Sequence, residues 1–85
     1  MTQKQALYRI NFSRMTAKTT SPHLPEMFCE NWNQTFDGLR KTVLADYRRA
    51  DSQSIGTTDY PCDRYIYEHK RDYQDRILIY VYPPR

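Results

Sequence analysis

The chain has 85 residues, 39% hydrophobic, 14% aromatic and 27% charged, which is enough apolar material for one packed core and too little chain for two. Thirteen Lys and Arg against ten Asp and Glu leave a net charge of +3, compatible with a phosphate backbone as partner but short of the basic tail or stripe of a dedicated polyanion binder. No stretch approaches the length of a bilayer span, and the polar segment Met1 to Gln5 has no apolar run after a basic head, so the expectation is a cytoplasmic protein without membrane association.

In chain order, the first element is a strand from Ala6 to Phe12. Ala6, Tyr8, Ile10 and Phe12 alternate with Leu7, Arg9, Asn11 and Ser13, the period of a half-buried strand. Met15 to Leu24 is rich in Thr, Ser and Pro and reads as a connecting loop. Pro25 suits the first turn of a helix, and Glu26 and Glu30 complement its dipole. Phe28, Trp32, Phe36, Leu39, Val43 and Tyr47 then recur at steps of three or four, which predicts one long amphipathic helix ending near Ala50. Asp37 with Lys41, and Asp46 with Arg49, add pairs at helical spacing, and Arg48 and Arg49 stand where a helix C-terminus favours cations. Gly38 lies inside this run, but the stripe keeps its phase across it, so the helix is expected to continue through it.

Asp51 to Pro61 collects Ser, Gly, Thr and Pro and is expected to be a flexible surface loop. Two strands follow, Arg64 to His69 and Arg76 to Tyr82, joined by a polar segment as a hairpin. The last strand is apolar on both faces, which predicts a central position. The expected fold is thus α+β: a single β-α-β-β domain over residues 1–85 with a three-stranded antiparallel sheet in the order 1-3-2 and one long helix on one face. Ile77, Ile79 and Val81, Ile66, and Tyr8, Ile10 and Phe12 are the residues expected beneath the helix.

The opposite face is left without a cover, and parity assigns it Leu7, Arg9, Asn11 and Ser13, then Tyr65, Tyr67 and His69, then Leu78, Tyr80 and Tyr82. Tyrosine brings apolar area and a hydroxyl at low rotamer cost, the chemistry of interfaces, and aromatics beside Arg on an open sheet suit base stacking. The candidate binding residues are therefore Arg9, Asn11, Arg64, Tyr65, Tyr67, His69, Tyr80 and Tyr82. Against a functional role stands tyrosine's ordinary preference for strands.

Cys29 and Cys62 lie far apart and His23 and His69 lie near neither, so two reduced thiols and no metal site are expected. There is no Gly-rich phosphate loop, nucleophile elbow or His-Glu-x-x-His motif in the chain, and no cofactor or catalytic residue is assigned. A metal-independent ribonuclease using His69, as in very small bacterial toxins, is the weakest of three functional readings. The strongest is a non-enzymatic module that binds a protein partner, in the manner of small phage or mobile-element proteins that inhibit host or defence enzymes. Between them stands a single-stranded nucleic-acid binder using the same face. A homodimer is a further partner that a domain of this size admits.

Overall fold

The structure is a computed structural model that describes residues 7–16, 20–22 and 26–84. Among the described residues, six strands and one helix run in the order β1 (Tyr8–Met15), β2 (Thr20–Pro22), β3 (Met27–Cys29), α1 (Trp32–Lys41), β4 (Tyr47–Ser54), β5 (Asp63–His69) and β6 (Arg76–Tyr82). All neighbours are antiparallel, in the order β2-β1-β6-β5-β4, with β3 also paired to β1. Since β6 occupies one edge of β1, β2 and β3 lie end to end along the other, against Ser13–Met15 and Tyr8–Ile10 respectively.

The three-stranded sheet in the order 1-3-2 is therefore incorrect, and so is the long helix. Helix α1 has ten residues. Its start is fixed by Asn31, whose side chain accepts a hydrogen bond from the Gln34 amide at 3.1 Å, satisfying a donor that the first turn leaves open. It runs through Gly38 without a break, with Asp37 bridged to Arg40 and Lys41 at 3.0 and 3.3 Å. It ends where the Thr42 and Leu44 amides both turn back to the Leu39 carbonyl. Pro25, the expected helix start, lies outside the described residues, as do Met1–Ala6 and His23.

The two ends of the apolar stripe belong to strands. Phe28 lies in β3 and Tyr47 opens β4. Steps of four fit a strand face as well as a helix face, because four is a multiple of the strand period of two and close to the helical 3.6, so Phe28 to Trp32 and Val43 to Tyr47 carry no information that separates the two. The loop expected over 51–61 begins only after Ser54, because Asp51 to Ser54 continue β4 opposite Asp63 to Ile66. This strand was concealed because its residues after Tyr47 are exposed on both faces, so no apolar alternation marks it.

One face of the sheet carries the core. Ile10 and Phe12 from β1, Ile77, Ile79 and Val81 from β6 and Tyr67 from β5 are buried with Trp32, Leu39 and Leu44. Phe36 and Val43 pack against this cluster from the helix side. The register sets Tyr65 opposite Ile79 and Tyr67 opposite Ile77, so both tyrosines face the helix and Ile66, opposite Leu78, faces away. Placing Ile66 beneath the helix is thereby corrected. The reason is shape: α1 presents Trp32 and Phe36, stacked at 4.9 Å, and Tyr65 and Tyr67 meet Phe36 at 5.4 and 5.9 Å, an aromatic cluster in favourable offset and edge-on geometries.

Candidate functional site

The face opposite α1, over which no helix lies among the described residues, is built by the outward residues of the same strands. Tyr80 sits between Asn11 on β1 and Arg64 on β5, Leu78 between Ser13 and Ile66, and Tyr82 beside Arg9. Five of the eight candidate binding residues, Arg9, Asn11, Arg64, Tyr80 and Tyr82, thus share this face. Tyr65, Tyr67 and His69 are on the other side of the sheet, because adjacent positions of one strand point in opposite directions and Arg64 cannot share a face with Tyr65.

Polar groups on the uncovered face are held by one another. The Arg9 guanidinium lies 4.4 Å from the Tyr82 ring centre and 3.7 Å from the Glu26 carboxylate, a cation over an aromatic face. Burial holds the Tyr82 phenol above its usual value, with Cys62 acting in the same sense and Arg9 and Asn11 against it. Arg64 donates to the Gln53 side chain at 2.9 Å, while its Nε is buried without a partner among the described residues. Arg48 and Glu68 form an ion pair at 3.0 Å across β4 and β5. Ile66, Leu78 and Tyr80, half-buried, form the apolar middle of this polar frame.

The helix side holds a network that sequence reasoning missed. Arg14 binds both carboxylate oxygens of Asp75, at 3.0 and 2.9 Å, and the Tyr47 hydroxyl donates to the same carboxylate at 3.0 Å. The Arg14 hydrogen bond is the main reason that the Asp75 carboxyl titrates below the usual range. Burial, and then the bond to Asp75, push the Tyr47 phenol up. His69 sets its ring edge-on to Tyr47 at 5.1 Å, and its Nδ1 accepts the Arg71 amide at 3.0 Å. The imidazole Nδ1 is thereby committed to the turn after β5, and the Asp75 carboxylate takes three hydrogen bonds, one on Oδ1 and two on Oδ2. The arrangement locks β1, β4 and the β5–β6 turn together, and the only signal for it in the sequence was a carboxylate and an arginine 61 residues apart.

Cys29 and Cys62 are free thiols, the second buried. Among the described residues no group of His, Cys, Asp and Glu is arranged to hold a metal ion, and no helix is long and apolar enough to cross a membrane. No protein-family model, curated protein or solved structure matches the chain.

Proposed function

We propose that the chain is a non-enzymatic module that docks a protein partner on the sheet face opposite α1. The observation that supports this reading is the composition of that face: Ile66, Leu78 and Tyr80 contiguous across β5 and β6, framed by Arg9, Asn11, Arg64, Tyr82 and the Arg48–Glu68 pair. An apolar middle within a polar, hydrogen-bonding rim is the anatomy of a protein interface, and tyrosine and arginine are the residues that most often anchor one. A nucleic-acid ligand fits this face less well, since Tyr65, Tyr67 and His69 are absent from it and Arg9 and Arg48 already face Glu26 and Glu68. Ribonuclease chemistry at His69 finds no support in an imidazole that accepts from the backbone.

The test is affinity capture from cell lysate with wild type and Tyr80→Asp, alongside fluorescence anisotropy with short oligonucleotides. A stoichiometric protein held by the wild type and lost from a folded Tyr80→Asp supports the proposal. Capture indifferent to that substitution, or oligonucleotide binding abolished by it, refutes it.

A further inference from the structure

After α1 the chain turns back, with the Ala45 and Tyr47 amides bonded to the Thr42 and Leu44 carbonyls and the Lys70 amide to Asp46. Beside this fold-back lies a cleft of about 370 Å³, with Arg40, Arg48, Arg49 and Lys70 among its lining residues and no acidic residue among them. Two of these charges are already answered, Arg40 by Asp37 and Arg48 by Glu68. Arg49 has no ion pair among the described residues, and the Lys70 ammonium donates once, to the Ala45 carbonyl at 3.2 Å, which leaves two of its three donors.

Tyr67 adds a donor to this lining. It is only 5% exposed, and because its hydroxyl is not among the buried groups without a partner, the hydroxyl is the part of the side chain that opens on the cleft. Arg49 and Arg40 are the positive charges that act on it, opposing the upward push of burial. A hydroxyl that opens on the cleft beside the Arg49 and Lys70 cations, against the apolar wall of Leu44 and Ala45, is a set of donors without an acceptor among the lining residues.

We propose that this cleft binds a phosphate group, held by the Arg49 guanidinium, the Lys70 ammonium and the Tyr67 hydroxyl. Arginine matches the oxygens of phosphate in a planar fork and lysine adds a point charge. The group is either the terminal phosphate of a small molecule or a phosphodiester of a single-stranded nucleic acid. The cleft shares Arg48 with the frame of the proposed protein-docking face, but Arg49, Lys70 and Tyr67 are not part of that face, so the two readings stand or fall separately.

The probes are a fluorescein-labelled single-stranded RNA 12-mer followed by anisotropy, and inorganic phosphate and 5′-AMP followed by amide chemical shifts. Binding of the RNA is expected to weaken with salt, with a log–log slope of about −0.7 for the one phosphate held in the cleft. Arg49→Ala should weaken binding about tenfold or more, and Tyr67→Phe, which removes one oxygen and keeps the ring, about three- to tenfold. Tyr80→Asp on the other face should leave it unchanged. Saturable shifts at Arg49 and Lys70 with phosphate or AMP but not RNA assign the small-molecule source, and RNA binding alone assigns the phosphodiester. No binding of any of the three probes, or binding that Arg49→Ala and Tyr67→Phe leave intact, overturns the proposal.

Discussion

Asp75 concentrates the energetics of single residues in this fold. Its carboxylate takes three hydrogen bonds from Arg14 and Tyr47 and is 8% exposed. Because its folded-state pKa lies below that of an unfolded aspartate, the linked stabilisation is complete above the unfolded value and disappears as pH falls through the folded one, below about pH 4. Asp75→Asn should cost about 1–3 kcal/mol at neutral pH and remove that part of the acid sensitivity. Urea denaturation from pH 3 to 7 measures both, and an Asn variant with the wild-type stability and pH profile would show that the network contributes nothing net.

At the scale of elements, the two glycines act in opposite ways. A methyl at Gly38 in the middle of α1 would meet no atom within 4 Å, so Gly38→Ala should stabilise the helix by about 0.5–1 kcal/mol through its lower unfolded-state entropy. At Gly56, after β4, the same methyl would run into the backbone of Tyr60 and Cys62 and come within 2.8 Å of the Pro61 carbonyl carbon. The Ile55 and Gly56 amides both bond the Cys62 carbonyl there, so the turn cannot give way without losing them. Gly56→Ala should therefore lower the melting temperature while Gly38→Ala raises it, a pair of opposite shifts that calorimetry resolves. The β4 edge is itself blunted: its register shifts between Arg49 and Asp51, and its outer residues are polar and exposed, devices that discourage sheet extension by another chain.

For the whole molecule, the decisive feature among the described residues is a sheet with α1 packed on one side. Phe36 touches Trp32, Tyr65 and Tyr67, so Phe36→Ala should cost about 2–4 kcal/mol, a little below a fully buried site because Phe36 is half-buried. Tyr80→Ala, on the uncovered face, should cost about 1 kcal/mol. The single tryptophan, Trp32, is 7% exposed in the core, and its emission reports unfolding for both variants. Equal losses would mean that the two faces are equally packed and that the proposed docking surface is part of the core.

What the sequence determined by itself was local and apolar: Arg76 to Tyr82 as a strand with Ile77, Ile79 and Val81 inward, continuity of the helix through Gly38, and the joint burial of Trp32 and Leu39. Such features follow from a few neighbouring side chains with one clear period. Tertiary structure decided the rest. The pairing of Tyr65 with Ile79 chose which face of β5 turns inward, and a slip of one residue would have exchanged Tyr67 for Ile66 in the core. The exposed strand Tyr47–Ser54 exists because β5 offers it a partner, and a strand held by backbone hydrogen bonds leaves no mark in side-chain hydropathy. For the same reason the cleft beside Tyr67 could not be foreseen: Arg40, Arg49 and Lys70 come from three separate segments, and only the fold-back after α1 brings them to one place.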